Sequence, residues 1–224
     1  METIAEAERT PRQLPIVGGH LALDFANTVD DPDGLERYDH AGSYPELVGW
    51  AARIGILLQP DQADELVETA EEHPRVASKA LQRAHDLRLI LNEIFGEVAA
   101  INSGEVRSVA VEWTELRQFV TEALTHADLD LHLPPAEDRG HAAYKLTWPM
   151  TARLDSVVWP ISVAALDLLT GPQLHRLKKC AGCPWVFLDQ SKNLSRRWCA
   201  MNDCGTHEKI RRYVSRRAAR KRSE

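Results

Sequence analysis

The first 179 residues of this 224-residue chain contain no cysteine, so no disulfide, reactive thiol or thiolate metal site can reside there. Aromatic residues are scarce at 6%, and neither glycine nor proline is in excess, which removes the collagen-like and low-complexity classes. Long hydrophobic runs are missing too. The most apolar stretch, Leu154 to Leu169, is interrupted by Asp155, Pro160, Ser162 and Asp167, so no membrane partner is expected. The opening METIAEAERTPRQ is acidic and polar, with no basic start ahead of an apolar run; no secretory signal is read and a cytoplasmic location is expected. No G-x-S-x-G, H-E-x-x-H, P-loop or dinucleotide fingerprint occurs, so an enzyme is not expected and no catalytic residue is assigned. What is present is 44% apolar residues, enough for a sizeable core in one or two domains.

Charge divides the chain. The formal net charge is −6, yet from His175 to Glu224 there are 14 Lys or Arg against 4 Asp or Glu. The preceding residues carry 13 against 29. A basic segment is drawn to polyanions while an acidic body repels them.

In the body, Ile16 to Val29 (IVGGHLALDFANTV) has apolar residues in mixed period and fits helix or strand. Ser43, Pro45 and Glu46 start a helix that Leu47, Trp50, Ala51 and Ile54 continue. A second helix is expected from Asp61 to Glu72. The strongest pattern runs from Val76 to Ile101, where apolar residues recur every three or four positions and predict a long amphipathic helix. Another helix is expected from Thr114 to His126. Leu129 to Leu133 and Ala143 to Trp148, separated by the turn-rich PPAEDRGH, predict a β-hairpin. A last helix from Arg153 to Leu169 closes the body, and Thr170, Gly171 and Pro172 punctuate the junction.

The basic segment holds Cys180 and Cys183, then fifteen residues, then Cys199 and Cys204. C-x2-C followed by C-x4-C is near the pattern of tetrahedral four-thiolate zinc, because each short pair can place both sulfurs on one ion. One structural Zn²⁺ is therefore expected, with these four cysteines as ligands and His207 as an exposed helix residue. Trp185 to Leu188 and Arg196 to Trp198 read as the strands of a hairpin around Asp189 to Asn193, and Glu208 to Arg222 as a helix. That order is treble-clef-like. The fold class expected overall is mainly α with a small β-hairpin in the N-terminal domain, followed by a C-terminal zinc finger of β-hairpin plus helix. Lys209, Arg212, Arg216 and Arg220 fall along one side of the terminal helix, and Ile210, Tyr213 and Val214 lie on the other, where they are expected to pack on the hairpin. The cationic row, with Arg196, Arg197, Arg211 and Arg217, forms the candidate nucleic-acid contact set.

CAGCPWVFLDQSKNLSRRWCAMNDCGTHEKIRRYVSRR resembles the CGNR zinc finger, named for the four residues that begin at its last cysteine. Ile16 to Thr28 (IVGGHLALDFANT) is similar to the start of the ABATE domain. The resemblance implies a bacterial stress-induced transcription regulator, with a finger that binds DNA and an N-terminal domain that senses a ligand. It divides the chain into a flexible leader at 1–14, an ABATE-like sensing domain at 15–172 and the finger at 173–224. The sequence departs from the family at its naming motif: Cys204-Gly205 is kept, but Thr206-His207 stands where Asn-Arg is usual. A neutral histidine is a poorer partner for phosphate than a guanidinium, and Lys209, Arg211 and Arg212 are expected to compensate.

Gly18, Gly19, His20, Asp24 and Asn27 present two readings. The glycines could let backbone approach a small-molecule effector that His20, Asp24 and Asn27 orient; equally, they could form a turn and a helix cap. The partners expected are double-stranded DNA, such an effector and a second copy in a homodimer. Two rivals use the same residues: a protein-interaction adaptor with a structural finger, and a thiol-based redox sensor.

Overall fold

Helix caps and apolar periodicity set the elements of the chain, whose computed structural model describes residues 14–30, 38–59, 61–105, 113–132 and 143–222. Helix α1 spans Leu21–Ala26, and the His20 side chain caps it by accepting from the Ala22 N–H at 3.4 Å. Strand β1 (Val29–Asp30) pairs antiparallel with β2 (Tyr38–Asp39). The ambiguous stretch from Ile16 to Val29 is thus a turn, one short helix and the start of a strand.

Helix α2 (Tyr44–Arg53) begins with a full capping box between Ser43 and Glu46, and Pro45 sits in its first turn, where the missing N–H costs nothing. Helices α3 (Gln62–Glu72) and α4 (Pro74–Asn102) follow. The predicted stripe of α4 is buried at Ala80, Ala84, Leu87, Leu91 and Ile94, whereas Val76 and Ile101 near its ends are exposed. Helix α5 spans Trp113–Thr125. Strands β3 (Asp128–His132) and β4 (Ala143–Thr147) form the expected hairpin, whose turn, Pro134 to His141, lies outside the described residues.

Helix α6 runs Val158–Thr170 rather than from Arg153. Proline is tolerated in a first helical turn and not inside a helix, so Pro160 sets the start. Arg153 instead folds back on Asp155 through two hydrogen bonds of 2.9 and 2.8 Å.

The helices enclose a core whose largest fully buried side chains include Phe25, Leu47, Leu87, Leu91, Phe95, Trp159 and Ile161. Arg88, 5% exposed, projects from α4 to clamp Asp39 through two contacts of 2.7 and 2.6 Å and also donates to Thr28. Burial alone would raise the Asp39 pKa, but the Arg88 guanidinium outweighs it and holds the carboxyl below its ordinary value. Leu14 was placed in the leader by the sequence; it is instead buried, and its carbonyl accepts from Arg53. The remainder of that leader, 1–13, lies outside the described residues.

Beyond α6, a 3₁₀ turn (Leu174–Arg176) leads into β5 (Leu177–Lys179), β6 (Val186–Leu188), a π-helical turn (Met201–Gly205) and helix α7 (Thr206–Arg222). The β5–β6 hairpin lies on α4 and α1, and Leu177, Val186, Phe187 and Leu188 join the same hydrophobic core as the body. Among the described residues, no helix is long and apolar enough to cross a membrane.

Candidate metal centre

Antiparallel pairing of β5 with β6 sets Leu177 opposite Leu188 and Lys179 opposite Val186. The intervening knuckle carries Cys180 and Cys183 and is closed by the Cys180 N–H donating to the Trp185 carbonyl at 2.8 Å. Cys199 and Cys204 return to it, so that all four Sγ atoms lie within 4.8 Å of one another. Cys183 and Cys199 are 3.5 Å apart, and Cys199 and Cys204 3.7 Å. A tetrahedral site with metal–sulfur distances of about 2.3 Å has sulfur–sulfur edges of about 3.8 Å. The donor set therefore fits one zinc ion in size and in chemistry. A filled four-thiolate shell supplies folding free energy, on the order of 10 kcal/mol, and leaves no open coordination position.

The chain prepares one of these sulfurs, that of Cys180, for deprotonation. The backbone N–H groups of Cys199 and Gly182 point at Cys180 Sγ from 3.3 and 3.4 Å. Hydrogen bonds from the Cys183 and Cys199 thiols, supported by those N–H groups, hold Cys180 well below the usual thiol range. The same bond to Cys180 pushes Cys183 and Cys199 up, with burial adding to it, and burial raises Cys204. Four thiols in one pocket cannot all ionise without a cation between them. Gly182 suits the close approach of the second pair, because a Cβ there would stand 3.1 Å from Cys204 Cβ, a tight contact.

The path back to Cys199 is organised by Asp189, fully buried at 0% exposure. Its carboxylate accepts from Lys178 Nζ at 2.7 Å, from the Ser191 hydroxyl at 2.6 Å, and from the backbone N–H of Ser191 and Arg196 at 3.0 and 2.9 Å. Burial alone would raise its pKa; the Lys178 ammonium, the Ser191 hydroxyl and the two N–H groups outweigh burial and hold it below the usual carboxylate range.

This hub corrects the expected hairpin. Val186 to Leu188 pairs with Leu177 to Lys179, not with Arg196 to Trp198, which forms no strand. In place of a ladder there, the Arg196 N–H donates to the Asp189 carboxylate and the Arg197 carbonyl accepts from the Ala181 N–H at 2.9 Å. Arg196 is likewise structural rather than a free cation: its guanidinium donates to the Trp198 carbonyl at 2.8 Å and to that of Cys199, and lies 4.7 Å from the Phe187 ring centroid.

Cys204 sits in the π-helical turn, so α7 departs directly from the fourth ligand position. Lys209, Arg217 and Arg197 are exposed, Arg197 with its guanidinium 5.4 Å from the Trp198 ring centroid. Arg211 pairs with Glu208. Arg212, Arg216 and Arg220 lie on the helix, but their side chains fall outside the described ones. His207 is exposed and 3.5 Å from Asp203. The stripe of α7 does not pack on the hairpin: Ile210, Tyr213 and Val214 are 55%, 65% and 57% exposed. The physical reason is that the body has already taken the apolar side chains of β5 and β6.

The effector candidates are corrected in the same way. Asp24 Oδ1 accepts from the Gly18 N–H at 2.8 Å, and burial raises its pKa. Asn27 uses its whole amide on the Val186 backbone, donating at 2.8 Å and accepting at 3.0 Å. His20 caps α1, and burial lowers its pKa against the opposing pull of Asp167. These groups form the turn and cap, and they hold the finger: Trp185 Nε1 donates to the Val29 carbonyl at 2.8 Å, and the Leu188 N–H to that of Gly18 at 2.9 Å. A groove of about 370 Å³ instead opens where α4 meets β5, lined in part by Glu93, Gly96, Glu97, Ser103, Glu105 and Lys179. The sequence reading places Asp189 at the head of the polar turn but gives it no role in the centre, although an acid two residues before a serine is a recognisable side-chain turn signal.

Two families match the chain. ABATE, described as "Putative stress-induced transcription regulator", covers residues 19–172, and the CGNR zinc finger covers residues 176–217. No curated protein matches it.

Proposed function

Because the chain belongs to the ABATE family, described as "Putative stress-induced transcription regulator", and carries a CGNR zinc finger after it, we propose that it acts by docking α7 on duplex DNA while the body answers to an effector. The observation that carries this reading is α7 itself, where eight Lys or Arg stand against a single acid, Glu208, on a helix anchored at the fourth cysteine. Clustered cations gain from counterion release on a phosphate backbone, and the acidic body restricts that attraction to one end. Exposed Ile210, Tyr213 and Val214 give the helix an apolar edge suited to a groove wall.

The sensing half rests on the groove between α4 and β5. Glu97 Oε2 is buried there without a hydrogen-bond partner, and Lys179 on its rim is adjacent to Cys180. A ligand seated in it would touch the body and the finger together. The proposal is of a binding protein, since the buried polar groups around the cysteines serve structural hydrogen bonds.

The test is duplex binding by the full zinc-loaded chain across a salt series. Arg212→Glu with Arg216→Glu should weaken binding to all sequences and flatten the log–log salt slope by about 2, at about 0.9 per phosphate contact. Unchanged affinity with unchanged slope overturns the placement. A redox sensor would instead release its metal on mild oxidation, and an adaptor would ignore duplex DNA at physiological salt.

A further inference from the structure

The C-terminal end of α4 gathers more negative charge than its surroundings neutralise. Glu93, Glu97 and Glu105 line the groove of about 370 Å³ between α4 and β5, and of the described lining residues only Lys179 is cationic. The last turn of this 29-residue helix, at Ala99, Ala100 and Ser103, adds the negative end of its dipole. Glu97 is half-buried, and its Oε2 is shielded from water with no hydrogen-bond partner. A carboxylate oxygen stripped of water and given no donor is costly, so a cation beside this group gains more than it would beside an exposed acid. Gly96 leaves the groove floor open, since a Cβ there would meet nothing within 4 Å. Glycine is unfavourable inside a helix, and its use is close approach to the backbone. Asn102 holds the groove in shape: its amide donates to the Leu174 and Leu177 carbonyls at 2.9 and 3.0 Å and ties the helix end to the finger.

We propose that this groove binds an organic polyamine, a chain with two or more ammonium groups set apart along it. The proposal deepens the effector reading of the same groove and rests on it. A single metal ion does not meet the requirement, because the three carboxylates do not converge: among the described residues, the cysteine sulfurs are the one set of three or more metal-ligating groups whose atoms lie within 4.8 Å of one another. Separate ammonium groups on one flexible chain do meet separate carboxylates, and the methylenes between them would lie over Gly96, Ala99 and Ala100. An anion would face three carboxylates, and a neutral ligand would leave the surplus charge uncompensated. The volume is near the lower end of ligand pockets, about 300–1,000 Å³, which suits a narrow chain.

The experiment is isothermal titration of spermidine into the full zinc-loaded chain, without DNA and at constant ionic strength. One site per chain is expected, and magnesium at the same concentration should not displace the amine. Glu97→Gln should weaken binding by about tenfold or more, through loss of a charge-assisted contact. Gly96→Leu, which fills the floor and leaves every charge in place, should abolish it. Glu71→Gln, on α3 and outside the groove, should bind like the wild type. Circular dichroism and zinc content confirm that each variant is folded; should Gly96→Leu fail to fold, Glu97→Gln carries the expectation. A wild type with no saturable binding overturns the proposal, as does displacement by magnesium. So does a folded Glu97→Gln or Gly96→Leu variant that binds like the wild type, or a Glu71→Gln variant that weakens equally. Duplex affinity separates the two claims: a wild type that binds spermidine, but whose duplex affinity responds to it no differently from that of Gly96→Leu, contradicts the sensing role and leaves the site standing.

Discussion

Two buried carboxylates respond to acid in opposite senses. Asp189 has its pKa lowered in the folded chain, so its contribution is complete above its unfolded value of about 3.9 and is lost as pH falls through the lower folded value. Asp189→Asn removes the charge opposite Lys178 Nζ, 2.7 Å away, and should destabilise the zinc-loaded protein by about 3 kcal/mol at neutral pH. Urea titrations of both proteins check this, and the gap between them should narrow below about pH 4. Asp24 has its pKa raised, with burial the largest cause; its favourable contribution belongs to the protonated form and is lost as pH rises through the folded value. Asp24→Asn keeps an acceptor for the Gly18 N–H and should match or exceed wild-type stability at pH 7. Asp24→Ala should cost about 1–2 kcal/mol. Equal losses in both Asp24 variants would contradict the assignment.

At the scale of elements, long amphipathic segments and local caps were legible, and partner choice was not. The Ser43 capping box and the α4 stripe declare themselves over a few residues, because the groups that satisfy one another are neighbours in the chain. Partner choice for β6 depends on where α4 and α1 offer apolar surface, which no local pattern records. The cysteine pairs stand out by spacing alone, and Asp189 binds residues within eleven positions of it, while Asn27 reaches Val186 across 159 positions, a pairing that no local pattern records. Asn27→Ala strands the Val186 N–H and carbonyl, both buried and both otherwise paired with it. Denaturant unfolding should show a loss of about 2–3 kcal/mol, and chelator competition a faster loss of zinc. A change within about 0.5 kcal/mol would mean that β6 is held by packing alone.

Over the whole molecule, body and finger share one core and four hydrogen bonds that join Gly18, Asn27 and Val29 to Trp185, Val186 and Leu188. Metal removal should therefore lower the melting temperature of the body and not merely fray the last residues. The most direct measurement is zinc content together with duplex affinity on the same full-length sample, before and after chelation, across a salt series. One zinc per chain is predicted, with a log–log salt slope of about −4 if Lys209, Arg212, Arg216 and Arg220 each neutralise a phosphate, and both binding and slope should be lost when the metal is withdrawn. A metal-free chain that binds duplex with the same affinity and slope would contradict the dependence of the DNA-docking helix on the four-cysteine centre.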